Sequence, residues 1–140
     1  LSRPTRRRAL FLDAAKADVR RLAEDDRRLA QLALQRIRDL ERREIEGVPL
    51  SDMAATGDLS DCRKLYFGLG DAPSHRIVYR DLGQSEGIEI VEVVAVEARA
   101  ELYAYLLSAA RLGRLLPESK PRFSRLHQQI VQRRAARRRE

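Results

Sequence analysis

The chain of 140 residues reads as an α+β domain: a small antiparallel sheet, an N-terminal helical hairpin packed on it, and a C-terminal helix. Three observations predict this class. Apolar residues recur at helical spacing over about residues 13–46, they alternate with polar ones over 62–67 and 75–81, and helical spacing returns after residue 98. Helices and strands therefore come in separate runs, which segregates the helices onto a sheet.

Residues 8–12, RALFL, read as a short strand. Asp13 is a candidate N-cap, and Ala15, Val19, Leu22 and Ala23 follow on one face. The stretch EDDRR at 24–28 interrupts that stripe and offers a new cap. A second helix follows to about Glu46, with Leu29, Ala33, Ile37 and Leu40 on its apolar side and Arg and Glu opposite. Gly47 and Pro49 stop it, and residues 47–61 read as a loop. CRKLYF (62–67), HRIVYRD (75–81) and IEIVEVVAVE (88–97) are the three strand candidates, joined by turn-rich segments at 68–74 and 82–87. The last is the most β-prone and reads as a central strand covered on both faces. From Ala98 a helix carries Leu102, Leu106, Ala109 and Gly113 on one side. Pro117 and Pro121 punctuate, and 122–140 reads as a basic helix.

The net charge of +7 is unevenly distributed. Residues 1–8 hold four arginines, and residues 117–140 hold eight Lys/Arg against Glu118 and Glu140. That leaves 16 basic and 19 acidic residues over 9–116. Basic ends around a mildly acidic body suit a polyanion, nucleic acid before others. The division expected is a basic arm (1–7), a folded domain (8–116) and an arginine-rich extension (117–140). A single cysteine, Cys62, and two histidines, His75 and His127, argue against a disulfide framework or a metal centre. No apolar run of membrane-spanning length occurs and no signal peptide is read, so the expected compartment is the cytoplasm. No cofactor is expected.

Strand periodicity yields a candidate site. On 62–67, Leu65 and Phe67 should face the helices, which leaves Lys64 and Tyr66 on the open face. On 75–81, Ile77 and Tyr79 point one way; Arg76, Val78 and Arg80 point the other. A hairpin makes Lys64, Tyr66 and Arg76 neighbours. Arg99 follows the third strand, with Tyr103 and Tyr105 close behind. A lysine, several arginines and tyrosines without a carboxylate suit a phosphate and a base: the guanidinium fork matches phosphate oxygens and a phenol ring stacks on an unpaired base. Solvated surface charge on a half-exposed sheet is the bland alternative.

The segments DLSDCRKLYF, HRIVYRD and IEIVEVVAVEARAELYAYLL together resemble the RelE branch of the RelE/ParE superfamily of bacterial type II toxins, over roughly residues 8–112. The resemblance implies a RelE-like fold, an antitoxin protein as partner, and cleavage of messenger RNA on the ribosome without a metal. It gives Lys64 the role of base, Arg76 that of phosphate clamp, and Arg99 that of phosphate stabiliser or proton donor. Tyr105 would orient the nucleotide. Tyr66, Arg80 and Tyr103 are substrate-binding candidates, with Arg80 an outer-rim charge. A lysine near its ordinary pKa of ~10.4 is a poor base, and neighbouring cations would lower it. Three departures stand out: Tyr66 replaces a second lysine, the 68–74 connection is long, and Glu97–Ala98 replaces a glycine before Arg99. The alternatives are a ParE-like toxin that inhibits gyrase without cleaving RNA, and a non-catalytic protein that binds ribosomal RNA or DNA through its basic tails.

Overall fold

A computed structural model describes residues 6–50 and 56–138. Leu1–Thr5 of the expected arm, 51–55 of the expected loop and 139–140 of the extension lie outside the described residues. The chain runs β1 (Arg6–Phe11), α1 (Asp13–Asp25), α2 (Arg27–Glu41), β2 (Val48–Pro49), β3 (Cys62–Phe67), β4 (His75–Ser85), β5 (Ile88–Ala98), α3 (Tyr103–Arg111) and α4 (Lys120–Arg138).

The five strands form one sheet in the order β1-β5-β4-β3-β2. β2 to β5 pair antiparallel, but β1 runs parallel to β5, so the sheet is mixed rather than antiparallel. The helical hairpin α1–α2 is the crossover that turns β1 around. β4 extends beyond the expected strand to Ser85. Only Glu86 and Gly87 remain as its turn to β5, both at positive φ, the geometry of a tight hairpin loop. A register shift opposite Val78–Tyr79 leaves Val94 as an extra residue in β5. Such a bulge moves the side-chain alternation by one step, and it explains why β5 reads as almost continuously apolar.

One face of the sheet packs Leu65, Phe67, Ile77, Tyr79, Val91, Val93 and Val96 against Ala15, Ala33, Ile37 and Leu40 of the hairpin. The other face is covered as well. Cys62, Val78 and Ala95 lie under Tyr103, Leu106 and Ala109 of α3 and Leu126 of α4. The expected open face is thus largely closed, because α3 is apolar all round: Tyr103 to Ala109 are all buried. α3 starts later than Ala98, after a short 3₁₀ turn at Ala100–Leu102. The basic 117–140 extension is α4, docked through Phe123, Leu126 and Ile130 instead of trailing free.

Several expected boundaries shift for identifiable reasons. Asp13 is the first helical residue and Leu12 occupies the cap position, whereas Asp26 does cap α2 by accepting from Arg28 N. α2 ends at Glu41 instead of near Glu46, with Arg43 in the left-handed conformation. Arg7, expected in a loose arm, is buried in β1. Its Nη1 donates to the terminal carbonyl of Leu40 at 3.0 Å and its Nη2 pairs with Glu46 at 2.8 Å. The side chain so adds a second donor to a carbonyl at the end of α2 that Arg43 N also bonds, at 3.0 Å. Gly47 lies against Tyr79, whose hydroxyl accepts from Gly47 N at 2.8 Å; a Cβ there would meet that oxygen at 2.6 Å. The close approach lets β2 form within the expected loop.

β1 covers β5 only as far as Val93. Beyond it the edge of β5 is closed by side chains: Asp18 accepts from Val96 N at 3.0 Å, and Arg111 donates to Val94 O at 2.9 Å. Both would otherwise be buried backbone groups without partners.

Candidate functional site

β3 and β4 pair so that Tyr66 stands opposite Arg76 and Lys64 opposite Val78, all on the α3 side of the sheet. α3 brings Tyr105 over the same spot. Arg76 Nε donates to the Tyr105 hydroxyl at 3.1 Å, and Arg76 Nη1 donates to the carbonyls of Pro73 at 3.1 Å and His75 at 2.9 Å. The Arg76 guanidinium carbon lies 4.3 Å from the Tyr66 ring centroid. Lys64 Nζ is 5.4 Å from the Tyr66 ring and 5.5 Å from that of Tyr105, within cation–π range of both. Lys64, Tyr66, Arg76 and Tyr105 therefore form one patch. Tyr66 is its exposed member at 38%, and Arg76, at 8%, is its most fixed cation.

The chemistry of the patch follows from its spent and unspent donors. Nε and both hydrogens of Nη1 of Arg76 are engaged by the chain itself, while Nη2 has no partner among the described residues. Arg76 thus presents one nitrogen, not a two-nitrogen fork. Tyr105 accepts from Arg76, so its own O–H hydrogen remains to donate. Neither Lys64 nor Arg76 has a carboxylate partner among the described residues.

Three sequence-expected members are placed differently. Tyr103 is 1% exposed, stacked with Phe123 and His127 and hydrogen-bonded to His127 Nδ1 at 2.9 Å. It belongs to the seam between α3 and α4, and burial pushes its pKa up to about 12. Arg80 pairs with Glu92 of the neighbouring strand at 2.9 Å, so it is a matched charge. Arg99 is exposed just past β5, and its backbone N donates to Ser74 O, beside the Pro73 carbonyl that holds Arg76. Its backbone is near the patch; no contact joins its guanidinium to the other four.

Residues that the sequence reading passed over form a second cluster one strand away. Buried Asp18 accepts from Arg111 (2.6 and 2.8 Å) and Arg21 (2.5 Å), and buried Glu97 accepts from Arg134 (2.9 Å) and Arg21 (3.3 Å). The signal was present: Asp18 interrupts the apolar stripe of α1, and Glu97 closes an apolar strand. A cavity of about 480 Å³ opens beside this cluster, between the α1–α2 corner and α4, with Asp25, His75, Glu97 and Arg134 in its lining. None of Lys64, Tyr66, Arg76 or Tyr105 lines it. Burial lowers the pKa of His75, which packs on Phe67 with ring centroids 5.2 Å apart. Among the described residues no group of three His, Cys, Asp or Glu is placed to hold a metal ion. No helix among them is long and apolar enough to cross a membrane.

With this geometry in place, solved structures supply a comparison. A YoeB/ParE toxin from Agrobacterium tumefaciens superposes with a TM-score of 0.50 at 20% identity, over 65% of this chain and 97% of that one. The chain has a YoeB/ParE-type toxin fold. A mutant of the E. coli toxin RelE in its free state aligns at 22% identity and a TM-score of 0.49, over 74% of this chain and 95% of that one. No protein-family model and no curated protein matches the sequence.

Proposed function

We propose that the protein is the toxin of a type II toxin–antitoxin pair and acts as a ribosome-dependent, metal-independent endoribonuclease on messenger RNA. The observation that carries this reading is the convergence of Lys64, Tyr66, Arg76 and Tyr105 with both cations unmatched by carboxylate. A protein gains stability by pairing such charges, and a site for phosphate needs them unpaired.

In the proposed reaction a ribose 2′-oxygen attacks the adjacent phosphorus and the bond from phosphorus to the 5′-oxygen breaks. The products are a 2′,3′-cyclic phosphate and a 5′-hydroxyl. Lys64 takes the proton from the 2′-hydroxyl. Arg76 Nη2, held by the rest of its guanidinium, stabilises the charge that grows on the phosphoryl oxygens, which is where a preorganised donor acts most strongly. Tyr105 donates its hydroxyl hydrogen to the leaving 5′-oxygen, which departs as the 5′-hydroxyl. Arg99, exposed and unpaired among the described residues, closes on the phosphate once RNA is seated. Tyr66 offers a ring for base stacking, with Arg76 already on one side.

α4 supports the ribosomal part of the reading. It carries Lys120, Arg122, Arg125, Arg133 and Arg137, besides Arg134, which Glu97 holds, and no acidic residue. A ridge of that charge suits ribosomal RNA, with strongly salt-dependent affinity. The partner expected to silence the toxin is an acidic antitoxin protein.

Inducible expression followed by mapping of messenger RNA 5′ ends, with and without translation, tests the proposal. Cuts within translated codons that vanish in Arg76→Ala support it. Growth arrest without cuts, accompanied by gyrase inhibition, would assign the protein to the ParE-like alternative.

A further inference from the structure

Arg76 and Glu97 are cross-strand partners on β4 and β5. Side chains so placed share a face with Cβ atoms about 5 Å apart, and opposite charges there ordinarily pair. These two do not. Glu97 is 3% exposed and turned to the free edge of β5, away from β4, where Arg134 of α4 holds one oxygen at 2.9 Å and Arg21 of α1 the other at 3.3 Å. Arg21 is held more closely by Asp18, at 2.5 Å, so Arg134 is the principal restraint on Glu97.

We propose that Arg134 is a positioning residue: it draws Glu97 to the far side of β5 and so keeps the open nitrogen of Arg76 available to a phosphate. α4 is then more than a lid on the core. It decides whether the arginine of the site is a free donor or half of an internal ion pair. The inference rests on the nuclease reading for its functional consequence, but the Arg76–Glu97 pairing it describes is a property of the free protein.

The test uses the full chain in four forms: unmodified, Arg134→Ala, Glu97→Gln, and both changes together. In Arg134→Ala, Glu97 swings to Arg76 and cleavage falls about tenfold, the effect of engaging one charge-assisted hydrogen bond. Glu97→Gln alone stays near the unmodified rate. The double variant recovers it, because a neutral glutamine no longer competes with phosphate. A role of Arg134 in merely docking α4 predicts the opposite, a double variant as impaired as Arg134→Ala or worse. That result, an unaffected Arg134→Ala, or a Glu97→Gln as slow as Arg134→Ala would overturn the proposal. Side-chain ¹⁵N resonances of Arg76, recorded without RNA, report the pairing independently. They should shift in Arg134→Ala and return in the double variant, and their constancy would also overturn it. Arg76→Ala serves as the separate control. If that variant still cuts RNA, the assignment of cleavage to Arg76 fails; growth arrest without cuts by the unmodified protein rejects the nuclease reading, while the resonances still judge the pairing.

Discussion

Two cationic clusters lie one strand apart, and they are built to opposite rules. At the free edge of β5, Arg21, Arg111 and Arg134 are matched by Asp18 and Glu97, and the same groups close the open backbone of the strand. On β3 and β4, Lys64 and Arg76 are surrounded by phenol rings and carbonyl oxygens and meet no carboxylate. The first cluster spends its charge on holding α1, α3 and α4 to the sheet. The second is fixed in position yet keeps its charge unspent. Rigid placement of unmatched cations is the feature on which the proposed anion site rests.

Substitution should separate the two clusters sharply. The largest effect is expected from Asp18→Ala, which leaves Arg111 without a carboxylate, Arg21 with Glu97 alone and the Val96 N–H without a partner; urea unfolding should show a loss of about 3–5 kcal/mol. A loss under 1 kcal/mol would show that the matched cluster does not hold the fold. Next comes Arg76→Ala, expected to reduce RNA cleavage about 10²–10³-fold, the scale for removing a donor that faces developing charge. Its unfolding midpoint should move far less than that of Asp18→Ala. Tyr105→Phe removes both the acceptor for Arg76 and a free hydroxyl hydrogen. Cleavage should fall about tenfold, by the worth of one charge-assisted hydrogen bond, with the far-UV circular dichroism unchanged. The smallest effect concerns pH. His75 lies between the clusters and its pKa is lowered chiefly by burial. The unfolded chain therefore binds the proton first, and its stabilising contribution is complete above about pH 6.5 and is lost as pH falls through the lower folded value. Unfolding midpoints from pH 7.5 to 5 should decline less steeply in His75→Gln than in the unmodified protein.

The unmatched cluster was largely legible in the sequence, and the matched one was not. Lys64, Tyr66 and Arg76 sit on strands whose two-residue alternation fixes their common face, so spacing alone brings them together. Tyr105 was reached through resemblance, since nothing local says where a helix will dock. The same blindness explains the error over Tyr103, two residues earlier in an all-buried helix whose far side is covered by α4. Periodicity could not show that α4 would return to the sheet, because its apolar residues are few and its arginines dominate. The parallel placement of β1 was hidden too: a six-residue strand carries no mark of its direction, and its pairing is decided by the hairpin that follows it.

That placement has a consequence for how the molecule comes into being. Arg7 and Glu89 touch across 82 residues, whereas β3, β4 and β5 are joined by short connections. Contacts so distant along the chain are slow to close, and the local meander is free to assemble before them. During synthesis β1 emerges well before β5 and must wait for it as a partner, and the helical hairpin is tethered on one side only until then. Completion of the sheet is thus a late event in the life of each newly made copy.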